Sequence, residues 1–148
     1  VYGGQISVSV NALKYFYLKS NFTYTKGYDK DEMPLRHVPP MFGATHLVLK
    51  NKKIQLDLYS IYNGEISFDN LAESEKSKAH MYAIDNDGNP YCPAWWTLNF
   101  KAGYKFNDYI SLNAGVENIL DERYRPYSSG IVAPGRNFIV SISGSICR

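Results

Sequence analysis

Seven stretches of this chain alternate apolar and polar residues, and the connections between them run short, long, short, long, short, long. The stretches are Gln5–Ala12, Tyr15–Lys26, Met41–Lys50, Lys53–Asn63, Trp95–Phe106, Tyr109–Ile119 and Phe138–Ile146. A period of two sends alternate side chains to opposite faces of a strand. In an antiparallel sheet whose strands pair in chain order, every second connection lies at the same end. The tight turns Leu13-Lys14, Asn51-Lys52 and Asn107-Asp108 therefore share one rim, and the three long connections share the other. Short turns on one side and long loops on the other are the pattern of an outer-membrane β-barrel. The fold class this implies is all-β: an antiparallel, up-and-down transmembrane β-barrel segment of about seven strands, part of a larger barrel.

The two faces differ in chemistry. Lys53–Asn63 sets Ile54, Leu56, Leu58 and Tyr62 against Gln55, Asp57, Tyr59 and Asn63, with only Ser60 and Ile61 trading sides. The polar faces carry Lys19, Asp57, Lys101, Lys105 and Glu117, charges that a dry sandwich core would hold only at high cost. The stretches run about nine to twelve residues, the length a tilted strand needs to cross a bilayer. Aromatic residues gather at their ends: Tyr15, Phe16, Tyr62, Trp95, Trp96, Tyr104, Phe106 and Tyr109, the positions of interfacial girdles. The 13 tyrosines suit a surface that meets lipid and water together, and equally a sugar-binding β domain.

Several classes are excluded. A net charge of +2 with interspersed signs leaves no basic stripe for nucleic acid. No apolar run is long enough for a spanning helix, and hydropathy alone does not separate a soluble β protein from a barrel. His37, His46 and His80 sit in different segments without metal-ligand spacing, so neither a metal site nor a cofactor is expected. Asp85-x-Asp87-Gly88-Asn89 has its glycine too early for a calcium loop and reads as a turn-rich loop tip. No nucleophile elbow or phosphate cradle is present, and the chain does not read as an enzyme. Cys92 and Cys147 lie far apart; two unpaired cysteines is the favoured reading, a disulfide the next. Val1 opens straight into a strand-like run without an initiator Met or a signal segment, so the whole chain, 1–148, reads as a fragment of a longer precursor.

Among the long connections, Gly64–Pro93 loses all periodicity and reads as a structureless loop. A loop of that length is usually functional. It collects Asp69, Glu73, Lys76, His80, Tyr82, Asp85 and Tyr91, acidic, basic and aromatic groups together, which are the candidate substrate-binding residues.

The last two strands flank the most specific words in the chain. Val116-Glu117-Asn118-Ile119-Leu120-Asp121-Glu122-Arg123-Tyr124 is followed by Ala133-Pro134-Gly135-Arg136-Asn137-Phe138 and one final strand. The pair resembles the C-terminal end of TonB-dependent outer-membrane receptors, where V-x-N-[LI]-x-D-x-x-Y precedes P-G-R-x-[FY]. The resemblance is sharp from Trp95 onward. It departs at Ser145-Ile146-Cys147-Arg148, where the family usually ends on an aromatic residue.

The resemblance implies the C-terminal part of a plugged barrel in the outer membrane. It further implies uptake of a scarce nutrient, an iron-siderophore or similar metal chelate above all. Energy would come from TonB, acting through an N-terminal part not included here. Implied partners are outer-membrane lipid and a small-molecule or metal-chelate substrate. Glu117, Asn118, Asp121, Arg123, Tyr124, Pro134, Gly135, Arg136 and Phe138 would then be structural, with salt bridges and hydrogen bonds locking the closing strand. Contact with an anionic substrate is the second reading of that charged cluster. The rival for the whole chain is a soluble, secreted β-sandwich that binds carbohydrate.

Overall fold

All seven alternating stretches form strands in the computed structural model, which describes residues 1–146. In chain order these are β1 (Tyr2–Leu13), β2 (Phe16–Lys26), β3 (Phe42–Lys50) and β4 (Ile54–Asn63). A two-residue hairpin of β5 (Ala83–Ile84) and β6 (Pro90–Tyr91) follows. The last three are β7 (Trp95–Lys105), β8 (Ile110–Glu117) and β9 (Asn137–Gly144). The long strands pair antiparallel as one sheet in the order β1-β2-β3-β4-β7-β8-β9. With neighbours following the chain, all three short turns do fall at one end and all three long loops at the other. Cys147 lies outside the described residues, and with it the question of its pairing; Cys92 is buried, and free among the described residues.

The register sorts the faces. One row of the sheet runs Val10, Leu18, Leu47, Leu58, Phe100, Val116, Phe138, and the next Phe16, Leu49, Leu56, Ala102, Ala114, Val140. Along the opposite face run Ser9, Lys19, His46, Tyr59 and Asn99. Val48, Ile61 and Ile139 also lie on that face, as aliphatic islands in a polar wall. The apolar face has no second layer among the described residues: Phe138 is 73% and Ile142 75% exposed. A continuous apolar surface of this kind has no stable place in water.

Local chemistry fixes the strand ends. Asn51 Oδ1 accepts the N–H groups of Lys53 and Ile54, both at 2.8 Å, and Asn107 Oδ1 accepts those of Tyr109 (2.9 Å) and Ile110 (2.8 Å). These Asx turns close two hairpins with side chains the sequence places there. Gly43 is a close-approach position of the sheet. The Tyr62 ring lies over it and donates its hydroxyl to Asn21 O at 3.0 Å, in space a Cβ would occupy. The expected strand Tyr109–Ile119 ends early, at Glu117, because Asn118 turns the chain with φ +50°.

Two expectations need correction. The 64–94 connection is not structureless: Phe68–Asn70 and Ala79–Met81 form 3₁₀ turns, Glu73–Lys76 an α turn, and β5–β6 a hairpin. Ile66 and Cys92 exchange backbone hydrogen bonds at 2.9 Å across its neck. Inside, Ile66, Leu71 and Cys92 form a small core with Tyr82 and Tyr127 packed on it. Sequence periodicity misses such a loop because its order comes from short turns and from contacts with the neighbouring loops, not from a repeat. The second correction is Trp95, which shares the polar face with Asn63 and stacks on Tyr124 at 4.0 Å. It cannot be a girdle residue, since adjacent strand residues point to opposite faces; Trp96, 51% exposed, is the one on the apolar side.

Candidate functional site

Of the three long loops, L1 (27–41) and L2 (64–94) meet at one carboxylate, and L3 (118–136) packs beside it. Glu75 has no accessible surface. Its Oε1 takes Arg36 Nε of L1 at 2.7 Å and Lys78 Nζ at 2.9 Å, and its Oε2 accepts the Tyr82 hydroxyl at 2.6 Å. Burial pushes this carboxyl up, but the hydrogen bonds from Tyr82 and Lys78, the Lys78 charge and Arg36 outweigh it and hold Glu75 at about 2. Tyr82 is raised in turn, by burial first and then by its bond to Glu75. L3 joins through Tyr127, whose ring lies 6.4 Å from that of Tyr82, and through Arg125, whose Nη1 donates to His80 O at 3.0 Å. Burial, and then the Glu75 charge, also raises Tyr127. Burial pushes the Cys92 thiol up to about 11, so it rests protonated beneath this cluster.

A cleft lies on each side of L2. Between L2 and L3 is one of about 380 Å³, walled by His80, Tyr82, Trp95, Arg123, Tyr124 and Arg125. Trp95 Nε1 is buried in that wall with no acceptor among the described residues. Between L1 and L2 is a more apolar one of about 370 Å³, with Tyr28, Leu35, Pro39, Pro40 and Met41 facing Glu65 and Ser67.

The seven residues singled out in L2 are not brought to one point. Tyr82 and His80 line the cleft toward L3. Lys76 pairs with Glu73 at 3.2 Å and lies 4.5 Å over the Phe68 ring. Asp85 closes the hairpin tip, its Oδ1 accepting the N–H groups of Asp87 (2.9 Å) and Asn89 (2.8 Å). Asp69 is exposed in the first 3₁₀ turn, and Tyr91 sits half-buried in β6. Arg36, Glu75 and Lys78 were not singled out. Glu75-x-x-Lys78 has ion-pair spacing for a helical turn, but nothing local joins Arg36 to it.

The motif residues form a clasp at the end of β8. Asn118 Nδ2 donates to Glu122 O (2.8 Å) and Pro134 O (3.4 Å), while its Oδ1 accepts Glu122 N–H (2.9 Å). Its own N–H goes to Asn99 Oδ1 of β7 at 2.8 Å. Asp121, at φ +59°, accepts Arg136 N–H at 2.8 Å, and Arg136 Nε donates to Ile119 O at 2.9 Å. Gly135 leaves room for this bond, because a Cβ there would meet Asp121 Oδ1 and the carboxylate would have to shift. So Asp121 and Arg136 bind backbone; among the described residues no salt bridge joins the charged motif residues to one another. Glu117 differs, pairing with Lys101 at 3.0 Å on the polar face. Tyr124 stacks on Trp95, Phe138 stands on the apolar face, and Arg123 is exposed at the cleft.

His46 is not an isolated surface histidine. Its Nδ1 lies 3.0 Å from both Asp57 oxygens, and its ring stacks on Tyr59 at 4.9 Å. No group of three or more His, Cys, Asp or Glu among the described residues could hold a metal ion.

No protein-family model and no curated protein matches this chain. Solved structures do. The copper transporter OprC superposes with TM-score 0.76 at 16% identity, over 96% of this chain and 23% of that one. A ferric enterobactin receptor (PfeA) mutant from Pseudomonas aeruginosa gives 0.75 at 16%, over 97% and 22%. The siderophore receptor PirA from Acinetobacter baumannii gives 0.73 at 23%, over 97% and 22%. The fold is that of the matching barrel segment of these transporter and receptor structures. This barrel segment spans less than a quarter of each of those structures. In a barrel of this kind the polar face, with Lys19, His46, Asp57, Lys101 and Glu117, lines the interior. The apolar rows of the barrel segment face outward.

Proposed function

We propose that this chain is the C-terminal barrel part of an outer-membrane receptor for TonB-energised uptake of a scarce nutrient, an iron-siderophore or similar metal chelate. The observation that carries the reading is the sorting of the molecule. An unlayered apolar face suits lipid and a charged opposite face suits a filled lumen. At the far rim the three long loops are packed into one body with clefts on both sides of L2. TonB would act through an N-terminal plug that lies outside these residues. The barrel strands carry no reaction; they hold the loops where a substrate arrives.

The substrate class rests on the likeness to structures named for copper and siderophore transport, and on the cleft between L2 and L3. There, the guanidinium groups of Arg123 and Arg125 and the rings of Tyr82 and Tyr124 can meet an anionic, partly aromatic chelate. A soluble sugar-binding β-sandwich is not favoured: the described residues make one large sheet, and no second sheet covers its apolar face.

The test uses the full-length receptor. Deleting Glu73–Asn89 leaves β4 and β7 their ladder and leaves Ile66 and Cys92 at the neck. Assembly should persist, while binding and uptake of a panel of ferric catecholate, ferric hydroxamate and copper(II) chelates should fall for the one that wild type takes. Unchanged affinity would put recognition elsewhere. A monodisperse, detergent-free monomer would end the membrane reading.

A further inference from the structure

L2 carries few apolar contacts of its own: Ile66, Leu71, Ala72 and Cys92 are its buried hydrophobic side chains, and Ile66, Leu71 and Cys92 form its core. A core that small does not by itself hold a loop in one conformation. What surrounds it is polar and comes from elsewhere in the chain. Arg36 reaches in from L1, Tyr127 packs from L3, and both converge on the Glu75–Tyr82 pair. Lys78 completes the donor set from within L2. Next to Arg36, His37 holds φ +61°, a left-handed conformation that a non-glycine residue keeps only when its surroundings enforce it.

We propose that Glu75 is the coupling residue of the outer rim: its buried carboxylate ties L1 to L2, so that releasing L1 loosens the L2 wall of the cleft shared with L3. This deepens the receptor reading, on which the importance of that cleft rests. The physical case is the asymmetry of buried charge. A carboxylate with no accessible surface is tolerated because Arg36, Lys78 and Tyr82 all donate to it, and withdrawing one donor leaves it under-compensated inside L2. The cost of moving L1 is therefore felt at Tyr82, which stands in the cleft wall. A ligand that fits the assembled cleft would in turn hold L1 in place, since coupling between two sites is reciprocal.

A built-in reporter makes this testable without a substrate. Cys92 is 4% exposed beneath L2, so it reacts with a maleimide only when the loop opens. In a full-length receptor whose only cysteine is Cys92, labelling should be slow. Glu75→Gln, which keeps the shape and removes the charge, should accelerate it about tenfold or more. Arg36→Gln alters a half-exposed residue of another loop, and it should also accelerate labelling several-fold. The double variant should react no faster than Glu75→Gln alone, the mark of two groups sharing one interaction. A wild-type rate for Arg36→Gln, or two effects that simply multiply, would show that Glu75 serves L2 alone and would overturn the coupling. Because no chelate is involved, this outcome is independent of whether the receptor reading holds.

Discussion

Asn118 is the position where a single side chain should decide whether the last hairpin closes. Its side chain is buried and makes two short hydrogen bonds with Glu122, at 2.8 and 2.9 Å, and a longer one to Pro134 O at 3.4 Å. Its backbone sits at φ +50°, which asparagine tolerates better than alanine. For Asn118→Ala the two short bonds are worth about 1 kcal/mol each, and leaving Glu122 N–H without its acceptor adds to that. The left-handed backbone adds roughly 1 kcal/mol more. The expected loss is about 2–4 kcal/mol. Asn118→Gly removes the backbone contribution and keeps the hydrogen-bond loss, so it should fall about 1 kcal/mol short of the alanine variant. The assay is urea unfolding of the full-length receptor folded into lipid vesicles, with substrate affinity measured on the folded fraction. A loss under about 1 kcal/mol for alanine, or a glycine variant less stable than alanine, would refute the clasp. A change in affinity with unchanged stability would instead return the motif to the binding surface.

Other outcomes follow from the same geometry. Leu56→Arg, on the apolar row between Leu49 and Ala102, should cost about 2–4 kcal/mol of barrel stability, while its neighbour Gln55→Arg on the polar face should cost much less. Equal losses in vesicle unfolding would remove the lipid assignment. Asn51→Ala and Asn107→Ala each delete two turn hydrogen bonds and should each lower stability by about 1–2 kcal/mol without touching substrate affinity. Glu75 sits at about 2 in the folded loop against an ordinary 4.5. A carboxyl depressed on folding contributes its stability above the unfolded value and loses it as pH falls from about 4.5 through about 2. The shift sets an upper bound of about 3 kcal/mol on that contribution. Hydrogen-exchange protection of L2 amides, corrected for intrinsic rates, should decline across that window in wild type and stay flat in Glu75→Gln; parallel profiles would contradict the assignment.

By itself the sequence determined the sheet. A period of two is a property of backbone geometry, so Ile54, Leu56 and Leu58 could face only one way and Gln55 and Asp57 only the other, whatever surrounded them. Chain-order pairing then put the long loops together at one rim, and Asn51 and Asn107 marked two of the turns by their own side-chain chemistry. The motif around Asn118 also stood out as a strand-end element, although its bonds turned out to run from side chains to backbone. Only the tertiary structure decided which side chains meet. Arg36 and Glu75 meet across two loops, Trp95 turns from the girdle to Tyr124, and His46 finds Asp57 across the β3–β4 register. Such contacts leave no periodic trace, because a loop side chain finds its partner through the packing of segments far apart in the chain. That is why Tyr82 was visible as a candidate while the carboxylate that holds it was not.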